Sequence, residues 1–182
     1  MGRRVLVTSV ACPLAARFAA LAAREPRVEA VVGTDAVTPR EDLAGARFVR
    51  VDPRGPGWSR VLDEHRVDTV VHLDLLTTPG AVGGRAAMKD VNVLGTMALL
   101  AACSHTPAVR TVVVQSSGAV YLSSSRDPAL VSEDLEPKGR LRGGFAQDCV
   151  EIEGFARSFA RRRPDASVSL LRLADVLGPD LV

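Results

Sequence analysis

The residues of this chain that could do chemistry are of three kinds. Hydroxyls stand at Ser116 and Ser117, where the apolar run Val112–Gln115 ends, and at Tyr121 shortly after. Thiols stand at Cys12, Cys103 and Cys149, and carboxylates at Asp35, Asp52 and Asp74, each closing a short apolar run. A thiol attacks only as the thiolate, which needs a neighbouring histidine or cation. Cys149 has Arg142 and Arg157 as its nearest cations in sequence and no histidine near it, so it reads as a buried helix cysteine and not as a nucleophile. His65, His72 and His105 show no ligand spacing, and the cysteines form no C-x-x-C pair, so no metal site is expected.

Hydroxyls and carboxylates this far apart in sequence act together only if a scaffold brings them to one edge. Short β-branched runs alternate with Ala/Leu/Arg-rich segments, the pattern of βα units and a parallel sheet. Strands are expected at Arg4–Thr8, Val28–Thr34, Arg47–Val51, Thr69–Leu73, Thr111–Gln115 and Ser167–Leu173, and helices at Pro13–Arg24, Trp58–His65, Gly84–Ser104 and Arg142–Arg163. The predicted fold class is α/β, a doubly wound parallel sheet of the Rossmann type, with six strands in the order 3-2-1-4-5-6. Near-continuous Val and Leu in the strands implies burial on both faces. Two loops, Asp74–Gly83 and Leu122–Leu141, follow strand C-terminal ends, where ligands sit in such sheets; each reads equally well as a surface connection.

A length of 182 residues fits one domain, taken here as 1–182, and 47% hydrophobic content suffices for a core. A net charge of +2 with 4% aromatic residues favours neither nucleic acid nor membrane as a partner. Unpaired cysteines fit a reducing cytoplasm. The opening residues could pass for a signal peptide or a lipid-attachment site at Cys12. Against that, only Val5–Val7 run uninterrupted before Thr8 and Ser9, and Pro13 and Arg17 follow at once. No run of about 18 apolar residues points to a membrane span.

Between the first strand and helix lies Thr8-Ser9-Val10-Ala11-Cys12-Pro13-Leu14-Ala15. In a dinucleotide fold this loop carries glycines for a tight turn, for approach of the pyrophosphate and for helix–strand packing. The loop resembles the T-G-x-x-G-x-x-G of the extended short-chain dehydrogenases/reductases, and aligned on Thr8 that resemblance puts the three places at Ser9, Cys12 and Ala15. Ala15 adds only a methyl, and Ser9 is costly only if its φ is positive. Cys12 is the serious replacement, because its side chain would stand where a diphosphate meets the helix N-terminus. The loop is therefore either a weakened NAD site or a plain turn with no ligand. Asp35, 20 residues after Ala15 and at a strand end, suits the two ribose hydroxyls of NAD.

Several segments resemble the NAD-dependent epimerase/dehydratase family, the extended short-chain dehydrogenases/reductases. The Thr8–Ala15 loop aligns with the family's T-G-x-x-G-x-x-G, and Val91-Asn92-Val93-Leu94-Gly95-Thr96 closely matches its N-V-x-G-T. Ser116-Ser117 with Val120-Tyr121 resembles its strand-five segment, and Arg172 to Pro179 resembles its L-R-x-x-N-V-x-G-P. Val70-Val71-His72-Leu73-Asp74 resembles V-x-H-x-A-A, with Asp74 in place of a small residue beside the cofactor. The resemblance covers essentially the whole chain. It implies cofactor contacts at Thr8, Ser9, Cys12, Ala15, Asp35, Asp52 (adenine), Leu73, Asn92 and Ser116. It also implies a proton-transfer unit of Ser, Tyr and Lys, of which only Ser117 remains. The Tyr-x-x-x-Lys pair is Phe145 and Cys149, and neither can replace a phenol or an ammonium. Tyr121 matches a family tyrosine that is not the catalytic one.

The resemblance implies, too, a C-terminal substrate domain after the motif that ends at Pro179, so the 182 residues are expected to be either a fragment of something longer or a Rossmann half without that domain, and a dimer formed through the helices at 84–104 and 142–163. Ala86, Ala87, Leu94, Met97, Ile152, Phe155 and Phe159 are the residues suited to that contact. The first expectation is a degenerate, non-catalytic member acting as a companion subunit or protein-binding module, as a homodimer or with another protein. The alternatives are an NAD-dependent oxidoreductase, epimerase or dehydratase with altered chemistry, and a sensor that binds NAD without turnover.

Overall fold

The computed structural model describes residues 2–121, 130–132, 135 and 144–174. Most of the expected loop Leu122–Leu141, the helix residue Arg142 and the Asp175–Pro179 part of the last motif lie outside the described residues.

Six runs rich in β-branched residues form six strands: β1 (Arg3–Thr8), β2 (Val28–Asp35), β3 (Arg47–Arg50), β4 (Thr69–His72), β5 (Thr111–Ser117) and β6 (Ser167–Leu173). They build one sheet in the order β3-β2-β1-β4-β5-β6, and every pairing is parallel. The order reverses between β1 and β4, which opens a crevice at their C-terminal ends. The register sets Thr8 opposite Thr34 and Val7 opposite Val71, and farther along the sheet Ser117 pairs with Leu173. Thr8, Asp35, His72 and Ser117 therefore all end strands on one edge. Burial on both faces holds for β4 and for the inner halves of β1 and β2. It fails for the edge strands β3 and β6, where Arg47, Arg50, Ser167, Ser169 and Leu171 are exposed. An edge strand has a neighbour on one side only, so its Leu content does not guarantee cover.

The helices are α1 (Pro13–Ala22), α2 (Trp58–Glu64), α3 (Arg85–Lys89), α4 (Thr96–His105) and α5 (Gly144–Arg162). On one face α1 lays Ala15, Ala16 and Ala19 on Val5, Val7 and Val31. On the other, α2, α4 and α5 bury Leu62, Leu99, Leu100, Ile152 and Phe159 against Leu6, Val70 and Val112.

The expected helix Gly84–Ser104 is not continuous. A π-helical segment, Asp90–Gly95, separates α3 from α4, and a short 3-10 turn, Pro79–Val82, precedes α3. The wide turn has local causes. The Thr96 hydroxyl donates to the Asn92 carbonyl at 2.5 Å, and a Cβ on Gly95 would stand 3.3 Å from the Pro53 ring. The whole stretch Arg85–His105, 21 residues, is long and apolar enough to cross a membrane by length and composition. The absence of any such run was the sequence expectation, and this segment departs from it. Half of it is buried inside the fold, as a core helix would be.

Of the residues assigned to a partner face, Ile152 and Phe159 are fully buried in the core, and Ala87 lines a cleft. Leu94 and Met97 are exposed, as is Ala86, while Phe155 is half-buried against the core.

Candidate functional site

The crevice at the ends of β1, β2 and β4 is a cleft of about 420 Å³, within the range of about 300–1,000 Å³ for small-molecule sites. Thr8, Ser9, Cys12, Asp35, Asp52 and Asp74 line it, with an apolar wall that includes Val37, Pro53, Leu76 and Val91. Ala15, Leu73, Asn92 and Ser116, also expected at the cofactor, do not line it. Each is used for support instead.

The loop after β1 takes its shape from backbone contacts. Ser9 has φ +62°, the left-handed conformation that the family's first glycine would adopt freely and that costs a side-chain-bearing residue about 1–2 kcal/mol. Cys12 is extended, with φ −80°, and caps α1 without a side-chain hydrogen bond. Cys12 is exposed and lines the cleft, and its backbone is unstrained. Ala15 is buried against the sheet and supplies packing. The Asp35 carboxylate accepts from the Ala11 and Val37 backbone N–H groups, both at 2.9 Å. Each of its oxygens retains a lone pair for a ligand hydroxyl.

Val10, fully buried, presses into β2 where Gly33 leaves room; a Cβ on Gly33 would stand 2.9 Å from a Val10 methyl. Sequence reasoning missed this notch. The signal was a lone glycine inside a strand pattern, which marks a close approach.

A buried hydrogen-bond chain crosses from β1 to the π segment. Leu73 donates its N–H to Thr8 Oγ1 at 2.9 Å, Thr8 Oγ1 lies 3.0 Å from His72 Nδ1, and His72 Nε2 lies 2.8 Å from Thr96 Oγ1. Thr96 gives its proton to the Asn92 carbonyl, so it must accept from His72. Donor balance therefore assigns the proton to Nε2, with Thr8 donating to Nδ1. Burial pulls the His72 pKa down to about 4, which keeps it neutral. The Asn92 side chain accepts from the Leu76 N–H at 2.8 Å and donates to the Leu76 carbonyl at 3.0 Å. Asn92 thus fixes a cleft wall without touching the cleft.

Two of the carboxylates that line the cleft are shifted in opposite directions. Asp52 is clasped by Arg54 (3.0 and 3.1 Å), whose hydrogen bonds lower its pKa. Asp74 is pushed up to about 7, first by burial and then by the charge of Asp35, with a hydrogen bond from Ser9 pulling it back.

The corner between β5 and α5, where the family's proton-transfer unit would stand, is apolar. Cys149 is fully buried with Val120 and Tyr121, and Phe145, Leu75 and Val150 pack against them. Burial, reinforced by Asp148 and Glu153, raises the Cys149 thiol to about 12, so no thiolate forms near neutrality. Ser117 accepts the Ala119 N–H at 3.2 Å and caps a short 3-10 turn. Ser116 is buried and donates to Glu153 at 2.9 Å.

Glu153 was not anticipated. It lies in the buried stripe of α5 with Cys149, Ile152, Ala156 and Phe159, and a charge in such a stripe signals a partner. That partner is Arg172, which grips both carboxylate oxygens at 2.7 and 2.8 Å, contacts the Tyr121 hydroxyl and stacks 4.7 Å above its ring. Although burial opposes it, these hydrogen bonds hold the Glu153 pKa below its usual value. Asp148, also buried, pairs with Arg85 at 2.6 Å and accepts from Asn92 at 3.3 Å. Among the described residues no cluster could hold a metal ion.

The sequence model of the NAD dependent epimerase/dehydratase family matches residues 14–181. An uncharacterised protein of Mycobacterium tuberculosis is 41% identical over 179 residues, 96% of this chain and 48% of that protein. Uncharacterised relatives in that genus thus run to about twice the length of this chain. Among solved structures, MoeE5 in complex with UDP-glucose and NAD superposes with a TM-score of 0.78 at 28% identity, covering 98% of this chain and 56% of that one. UDP-glucuronic acid 4-epimerase from Bacillus cereus, with UDP-glucuronic acid and NAD, shares the fold at a TM-score of 0.77 and 22% identity, over 97% of this chain and 58% of that one.

Proposed function

The chain belongs to the NAD-dependent epimerase/dehydratase family, and we propose that it is a degenerate, non-catalytic member acting in the cytoplasm as a companion subunit or protein-binding module. One observation carries this reading: Phe145 and Cys149, which the resemblance aligns with the proton-transfer pair, lie in an apolar cluster, with the thiol held at about 12. General acid–base catalysis needs a group that titrates near the working pH and reaches the reacting oxygen. Neither residue is such a group.

The partner surface runs along α3, the π segment and α5. Exposed Leu94 and Met97, three residues apart on one helical face, are its apolar centre. Either a second copy or another protein would cover them.

A second reading, a sensor that binds NAD without turnover, draws on the cleft itself, with Asp35 correctly placed for a ribose. Incubation of the 182-residue chain with NAD and UDP-glucose separates these from an active enzyme. No NADH and no altered sugar are expected; turnover abolished by Ser117→Ala would overturn the non-catalytic reading. Sedimentation should give a dimer or a stable complex that Met97→Asp dissociates.

A further inference from the structure

The cleft lined by Asp35 and Asp74 lies at the C-terminal ends of the strands, and the opposite edge of the sheet holds a second one. There, at the N-terminal ends of β1, β4 and β5, is a cavity of about 490 Å³, again within the range of small-molecule sites. Arg3, Arg4, Arg66 and Arg110 line it, and its carboxylates are Glu29 and Asp68. Both carboxylates are satisfied within the fold. Asp68 accepts the Arg4 backbone N–H at 2.9 Å on one oxygen and the Thr69 hydroxyl at 2.7 Å on the other, and Glu29 accepts from Arg4 Nη1 at 2.6 Å. The guanidiniums are not. Arg4 uses one more donor on the His65 carbonyl at 2.8 Å, and Arg110 uses one on Asp165 at 2.5 Å, which leaves most of the N–H groups of each fork open. The side chains of Arg3 and Arg66 are exposed and have no hydrogen-bond or ion-pair partner among the described residues.

Arg66 stands at its place against the preference of its own backbone. It follows His65, the C-cap of α2, with φ +50°. Its N–H bonds the Asp63 carbonyl at 3.1 Å, and the Val67 N–H bonds the Leu62 carbonyl at 2.9 Å. That is the Schellman ending, whose left-handed position glycine fills without strain. Arginine there strains the turn and adds a cation to the wall of the cavity.

We propose that this cavity binds a small phosphorylated molecule, with Arg3 and Arg66 and the open donors of Arg4 and Arg110 holding its phosphoryl oxygens. Guanidinium forks meet phosphate with two parallel N–H bonds, which suits a site built from arginine alone. The charge is gathered in one concave place on a chain whose net charge is only +2, with 4% aromatic residues. A nucleic-acid face needs a broader basic stripe and rings on which bases stack. The site is independent of what the opposite cleft holds.

The test is calorimetric titration of the full chain with inorganic pyrophosphate, at low and at physiological salt. Arg66→Gly, Arg66→Lys and Arg3→Gln are the cavity variants, and Arg60→Gln is the control, since Arg60 is exposed on α2 and does not line the cavity. Pyrophosphate should bind below millimolar concentration and more weakly as salt rises. Arg66→Gly and Arg3→Gln should each weaken it by about tenfold or more, Arg66→Lys by less, and the control should leave it unchanged. Glycine accepts the positive φ, so Arg66→Gly should keep the melting temperature of the unmodified chain, and a loss of binding in it is not a loss of fold. No binding at millimolar pyrophosphate overturns the site. Binding that survives both Arg66→Gly and Arg3→Gln, or that falls equally in the control, overturns it too. A short single-stranded oligonucleotide that binds tighter than pyrophosphate and is weakened by the same two variants overturns the small-molecule reading in favour of a nucleic acid.

Discussion

The cleft at β1, β2 and β4 and the corner between β5 and α5 lie on one edge of the same sheet, yet they have diverged by opposite routes. The cleft remains open and polar, and what changed is charge and small steric detail: Ser9, Cys12 and Asp74. The corner has filled. Phe145 and Cys149 joined Leu75, Val120 and Tyr121 in a dry cluster, and the charged groups nearby, Glu153 and Asp148, are bound to arginines. An open site has room for a ligand, whereas a filled one offers its packing. The corner should therefore answer to mutation through unfolding, and the cleft through binding and pH.

The largest effect expected from that contrast is at Glu153. Glu153→Ala leaves Arg172 largely buried without its carboxylate and should cost about 3–5 kcal/mol in urea unfolding; a loss below about 1 kcal/mol would mean that the corner is not held by this pair. Next is Gly33→Ala, which drives a methyl into Val10 and should cost about 1–3 kcal/mol. Because Val10 anchors the cleft loop, the same variant should loosen whatever the cleft binds.

Asp74→Asn reads the cleft's charge through pH. The Asp74 pKa stands at about 7, above its ordinary 3.8, so the folded form keeps a proton that the unfolded chain releases. Stability is thus lost as pH rises from about 4 through about 7. The variant lacks that loss and should melt higher at pH 8, where about 2–4 °C corresponds to 1 kcal/mol in a chain of this size, with no gain at pH 4. An equal gain at both would sink the charge account. The smallest effect belongs to Ser9→Gly. It relieves the positive φ but adds unfolded-chain entropy, for a net stabilisation under about 1 kcal/mol.

The fold was legible because valine-rich runs and helical segments alternate, and six strands with crossover helices suggest the doubly wound order that the sheet adopts. The π segment before α4 was not legible, since the apolar pattern continues through it and one of the contacts at it, Gly95 against Pro53, joins residues far apart in sequence. The alignment of Phe145 and Cys149 with the family's Tyr and Lys rests on the resemblance alone, and what the structure adds is the apolar packing around them. The charged pairs nearby could not be read from the sequence, because the pairing of Glu153 with Arg172 and of Asp148 with Arg85 joins residues that only folding makes neighbours. Leu73 and Asn92 show the same limit: both flank the cleft in sequence, yet one binds Thr8 and the other holds Leu76.

The cluster around Cys149 also bears on history. A lysine restored there would place an ammonium among Leu75, Val120 and Phe145, where desolvation opposes its charge while the Asp148 and Glu153 carboxylates favour it. A tyrosine restored at 145 alone would have no lysine beside it to lower its pKa. Neither reversion helps alone, and the pair still meets an apolar wall. If the chain is non-catalytic as proposed, restoring an acid–base pair at this corner takes more than one substitution, because the residues packed around it must change as well.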